Sequence, residues 1–125
     1  MSIDPDKLKL FSFLLFSKLE GAVTSGMVHL GDRLGLYRAL AASPRALTTT
    51  QLAAATGLHE RWVREWAYNQ AAAKIISFSS LRSNPPTIDD DTFYLTPEQR
   101  AVLADESHPA FGMECSTAFR RLWSH

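Results

Sequence analysis

Apolar residues recur along this chain at helical spacing, in blocks that differ in how much of a helix surface they cover. Asp4-Pro5 reads as a cap followed by a first-turn proline. Beyond it Leu8, Leu10, Phe11, Phe13, Leu14, Leu15 and Phe16 leave chiefly Lys7, Lys9, Ser12 and Ser17 polar. The spacing predicts a helix over residues 5–18 that is apolar on more than one face. One neighbouring helix cannot cover such a surface, and a terminal helix of a small domain is seldom buried on all sides. Leu10, Phe11, Phe13, Leu14 and Phe16, joined by Val23 and Met27, are therefore expected to face a second copy of the chain. Central burial within one copy is the alternative. A second helical stretch, 19–34, carries Val23, Met27, Val28 and Leu30 with Gly21, Gly26 and Gly31 among them, and glycines there signal bends or close helix approach. A short helix follows from Gly35, with Leu36, Tyr37 and Leu40 on its apolar side, and ends at Ser43-Pro44.

The next segment is the most structured in sequence terms. Thr48 and Gln51 form a capping box, so a helix is expected over 49–56, stopping at Gly57. Another runs over 60–73, where Trp62, Val63, Trp66, Ala67 and Gln70 or Ala71 make a core stripe. Two helices joined by a tight glycine turn form a helix-turn-helix. Ile75-Ile76-Ser77-Phe78 and Thr92-Phe93-Tyr94-Leu95 read as strands, and the Ser-, Asn-, Pro- and Asp-rich 79–91 as a flexible hairpin tip. The fold class is mainly α: a winged helix-turn-helix with extra N-terminal dimerisation helices and a small β-hairpin wing. Residues 1–46 supply the N-terminal helices, 47–96 the winged unit and 97–125 C-terminal helices, one opening at Pro97-Glu98 and the last after Pro109, all in one compact domain.

Composition narrows the function classes. The chain has 125 residues, 46% apolar and 21% charged, enough for one core without metal or disulfides. Lys plus Arg equals Asp plus Glu, giving a formal net charge of zero, which weighs against a protein living on phosphate attraction. Cys115 is the sole cysteine, so no intrachain disulfide forms and a reducing, cytoplasmic setting is expected. As a nucleophile it lacks a nearby activating base. The apolar run 10–16 is too short to span a bilayer and has the wrong flanks for a secretion signal. His29, His59, His108 and His125 are scattered, without metal-ligand spacing, and the glycines do not form a phosphate-binding loop.

Four blocks together carry a family resemblance: Gly31-Asp-Arg-Leu-Gly-Leu-Tyr-Arg-Ala-Leu40; Leu52-Ala-Ala-Ala-Thr-Gly57 with Arg61-Trp-Val-Arg-Glu-Trp66; Tyr94-Leu-Thr-Pro-Glu98; and Ala101-Val-Leu-Ala-Asp-Glu106 with His108-Pro-Ala-Phe111. The chain resembles the N-terminal winged-helix dimerisation domain of a largely bacterial group of class I S-adenosylmethionine-dependent methyltransferases. It departs from that pattern at His59, where a small capping hydroxyl is usual, at Lys74, where glycine is usual, and in the longer loop 79–91. The resemblance implies a following catalytic domain that binds S-adenosylmethionine. The chain ends at His125 before such a segment, so it is expected to bind no cofactor and transfer no methyl group alone. A truncated product, an excised domain or one piece of a split enzyme fits that expectation, with a second copy and the catalytic domain as partners and no membrane. The resemblance also implies that Phe13, Met27, Leu30 and Tyr37 wall a substrate pocket, against the simpler reading of these residues as dimer core.

The leading expectation is thus a dimerising, pocket-shaping domain of a methyltransferase, not catalytic by itself. The alternative is a free-standing transcription regulator contacting DNA through Arg61, Arg64 and Asn69. Glu60 and Glu65 beside those residues and Asp89-Asp90-Asp91 in the wing oppose phosphate. A third class, a ligand-binding dimer without catalysis, requires a cavity at the helical interface.

Overall fold

A computed structural model describes residues 2–87 and 89–113. Its first element is a single helix, α1, Pro5–Arg33, of 29 residues, about 43 Å long at 1.5 Å per residue. Asp4 caps it by accepting hydrogen bonds from the backbone N–H of Asp6 and Lys7. The two stretches expected at 5–18 and 19–34 are therefore one element. Gly21 and Gly26 neither bend it nor admit a neighbour, since a Cβ at either would meet nothing within 4 Å. Glycine costs a helix only about 1 kcal/mol each, too little to interrupt an element continuous on both sides. Gly31 is different: a Cβ there would lie 2.6 Å from Trp66 Cζ2 and 2.7 Å from the Tyr37 ring.

Short helices follow: α2, Leu36–Ala42, α3, Thr49–Thr56, and α4, Glu60–Ala72. The Thr48/Gln51 capping box forms as the sequence indicates, and Gly57 ends α3 with φ 71°, a conformation that favours glycine. His59 caps α4 through Nδ1, which accepts from the Arg61 N–H at 3.3 Å. Then come β1, Ser77–Ser80, and β2, Asp91–Tyr94, an antiparallel hairpin pairing Ser77 with Tyr94 and Phe78 with Phe93. Leu47 bridges Phe93 on the other edge of β2. Helix α5, Pro97–Leu103, opens on a second capping box, Thr96 with Gln99. The helix expected after Pro109, with Cys115 and His125, lies outside the described residues.

The core gathers Leu36, Tyr37 and Leu40 of α2, Leu52 of α3, Val63, Trp66 and Ala67 of α4, and Ile76, Phe93, Leu95 and Leu103. Tyr37 packs on Trp66 with ring centroids 5.3 Å apart, and its hydroxyl donates to Gln70 Oε1. Burial, with Asp32 nearby, pushes the Tyr37 phenol well above its ordinary range, so the hydroxyl stays a donor. Trp62, expected in the core stripe, is 70% exposed against 3% for Trp66. It sits one turn earlier on α4, at the edge of the buried face.

Two substitutions separate the glycine roles. Gly31→Ala should destabilise the domain by about 1–3 kcal/mol through overpacking against the two rings, whereas Gly26→Ala should stabilise it by about 0.5–1 kcal/mol. Urea titration of both variants checks the opposite signs.

Candidate interaction surfaces

Two surfaces stand out once the core is accounted for: the outer face of α3 and α4, and the projecting part of α1. The first is joined by its own wing through two side-chain hydrogen bonds. Residues 81–90 leave β1 and return to β2, and their carboxylates are taken up within the chain. Asp89 Oδ1 accepts from Thr50 Oγ1 of α3 at 3.3 Å. Asp91 Oδ2 accepts from the Tyr68 hydroxyl of α4 at 2.5 Å. Asp90 ties the loop to itself, accepting from the Ser83 hydroxyl at 2.5 Å and the Thr87 N–H at 2.9 Å. The bonds from Ser83 and then Thr87 hold the Asp90 carboxyl below the usual carboxylate range. The tip expected to be a flexible acidic hairpin is thus braced by those same acids.

The remaining outer residues of α4 are also engaged or sparse in charge. Glu60 accepts from Thr49 Oγ1 at 3.0 Å and lies 3.9 Å from Arg64. Arg61 and Glu65, equally spaced, form no ion pair among the described residues. Asn69 is half-buried, and its Oδ1 has no partner among the described residues. Of the three residues expected at DNA, Arg61 alone is exposed, and its guanidinium has no ion pair among the described residues.

The second surface is apolar. Leu10, Phe11, Phe13, Leu14, Phe16 and Val23 of α1 are all exposed, and Phe13 is 63% so. Met27, the last of the expected interface residues, is half-buried and packs on the core. The body grips α1 only from about Thr24 onward, where Trp66 Nε1 donates to the Met27 carbonyl at 2.9 Å. Within one chain the expected pocket wall does not assemble. Phe13 precedes Met27 by about 21 Å of helix, Leu30 is exposed, and Tyr37 is buried at 1% with its hydroxyl turned to Gln70. Two shallow clefts, of about 320 and 260 Å³, meet instead at Leu95 and Arg100. Among the described residues no group of three or more His, Cys, Asp or Glu side chains gathers to hold a metal, and no helix is long and apolar enough to cross a membrane.

Sequence reasoning missed the Tyr68–Asp91 bond and the exposure of Trp62. Neither left a signal, because both depend on where the wing and α1 lie across α4.

Helices α3 and α4 joined at Gly57, backed by α2 and α5 and followed by the β1–β2 hairpin, define a winged helix-turn-helix domain. Residues 22–104 match the family model of the Rv2258c-like winged HTH domain, and the chain belongs to that family. Among solved structures it is similar to human N-acetylserotonin methyltransferase in complex with SAM, with a TM-score of 0.66 and 18% identity over 85% of this chain. The chain spans 28% of that protein, and at this identity the likeness is one of fold. No curated protein matches the chain in sequence.

The wing brace has a spectroscopic signature. Donation to Asp91, reinforced by partial burial, pushes the Tyr68 hydroxyl up to about 12. The neutral phenol is favoured in the folded state, so this contribution is full below the ordinary tyrosine value of about 10 and is lost as pH rises through the raised one. Asp91→Ala should return one tyrosine toward that ordinary value in an ultraviolet titration. An unchanged titration would mean that the bond does not form in solution.

Proposed function

We propose that this domain is the assembly module of an S-adenosylmethionine-dependent methyltransferase, forming a homodimer through α1 and shaping the mouth of a substrate pocket that a separate catalytic domain completes. The observation that carries the dimer is the bare helix. Nine large apolar side chains from Leu8 to Val23 are between 46% and 70% exposed. Together they offer on the order of 900 Å², spread over more than one face of the helix, so one partner helix covers only part of that area. The methyltransferase association is supported by the fold shared with a methyltransferase and by the resemblance of the four sequence blocks.

The regulator reading gains no support from the geometry. The wing is bonded to Tyr68 of its reading helix, and Glu60 and Glu65 stand among its arginines. A duplex would meet bound carboxylates before it met bases.

Light scattering at micromolar concentration should give the mass of two chains. Phe13→Glu with Leu14→Glu should give one chain with unchanged far-ultraviolet circular dichroism, since both positions are solvent-exposed in the isolated fold. A monomeric wild type would remove the dimer, and salt-sensitive retardation of duplex DNA by the wild type would favour the regulator instead.

A further inference from the structure

We infer that two copies of α1 pair antiparallel about a twofold axis passing between Leu14 and Leu15, so that Phe13 of each copy meets Phe16 of the other and Lys9 of each meets Glu20 of the other. The inference rests on the homodimer proposed above and gives it a register.

Because α1 is unbroken, Lys9, Phe13, Phe16 and Glu20, spaced by four, three and four residues, form one stripe along it. Such alternation is the spacing of a two-helix seam. The stripe continues through Val23 to Met27, the position where α1 meets its own α4. Among the described residues nothing covers it before that point: Phe16 is 64% exposed and Val23 61%. Among the described residues neither Lys9 nor Glu20 has an ion pair.

The order along the stripe, cation, aromatic, aromatic, anion, reads with opposite sign from its two ends, and the spacing is the same in both directions. A parallel pair would set Lys9 against Lys9 and Glu20 against Glu20, which is unfavourable. An antiparallel pair sets each cation against an anion, twice by symmetry, and packs four phenyl rings between them. Both opposed pairs share one midpoint, between Leu14 and Leu15.

The body of the domain independently selects the same midpoint. The helix starts at Pro5, and Thr24 is where the body first shields this face. The centre of that free segment is again between Leu14 and Leu15. Pairing about it lets the two helices overlap along the whole free length, roughly 30 Å, and brings the start of one α1 to the point where the other domain begins. The register belongs to the projecting segment, since the family match begins only at residue 22. Leu8, Phe11, Leu15 and Leu19 lie toward the other side of the helix, and a dimer built through them would be indifferent to Lys9 and Glu20.

Charge exchange tests the register by sedimentation equilibrium at low ionic strength, with circular dichroism confirming the fold. Lys9→Glu and Glu20→Lys should each weaken the wild-type dimer on the order of tenfold, because each places like charges together at two symmetric sites. The double variant Lys9→Glu, Glu20→Lys should regain wild-type affinity. Dimers unaffected by the single changes would overturn this register in favour of a parallel pair or the opposite stripe, leaving the homodimer itself standing. Single variants that weaken without rescue in the double would overturn it as well. A wild type that never dimerises would remove the proposed assembly and the register with it.

Discussion

The Met27 carbonyl of α1 accepts the Trp66 indole N–H at 2.9 Å, and that approach fixes how a 29-residue helix leaves the body of the domain. In a regular helix this carbonyl already accepts from the residue four positions on, which is Gly31. The indole reaches a second lone pair because Gly31 has no side chain to hold it off; a Cβ there would lie inside both the Trp66 and the Tyr37 ring. Trp66 in turn packs on Tyr37, whose hydroxyl reaches Gln70 on the next turn of α4. One glycine thus joins α1, α2 and α4. Everything N-terminal to it is a lever whose direction this contact sets.

The parts of the fold written in local chemistry were legible in the sequence. The Thr48/Gln51 box and Gly57 mark both ends of α3, since capping involves residues only a turn apart. Lys74 shows its departure from glycine as a positive φ of 62°. What depended on partners elsewhere was not legible. The first strand begins at Ser77 rather than Ile75 because the Gln70 carbonyl still holds the Ile75 N–H at 2.9 Å and draws that of Ile76, so the chain is not free to pair until it has cleared the end of α4. Trp62 has the same helical spacing as Trp66 and a different fate. Periodicity gives a face, whereas the width of the buried band is decided by where α1 crosses α4.

The candidate sites divide along the same line. That the outermost α1 residues are apolar is a property of composition, and the exposed Phe13 and Phe16 agree with it. That Tyr37 is buried against Trp66 and Gln70, and that Phe13 lies far along the helix from Met27, required knowing how α2 packs on α4 and that α1 is unbroken. The acidic wing was visible as a charge that opposes DNA, but its internal use was not. Asp89, Asp90 and Asp91 bind Thr50, the loop backbone and Tyr68, turning a repulsive tip into a brace.

A shared fold leaves open which face does the work, and the balance of satisfied and unsatisfied surface is what favours α1 in the proposed assembly. On the outer face of α3 and α4 most polar groups already have a partner in the chain, so a ligand arriving there must break bonds before making any, and it recovers little net free energy from each exchange. On α1 the exposed groups are apolar. They have no bonds to break, and removing them from water is favourable in proportion to area. A winged helix ordinarily presents its reading helix to a partner. In this chain the wing is bonded to Thr50 and Tyr68 of that surface, while the large exposed apolar groups are concentrated on the helix that precedes it.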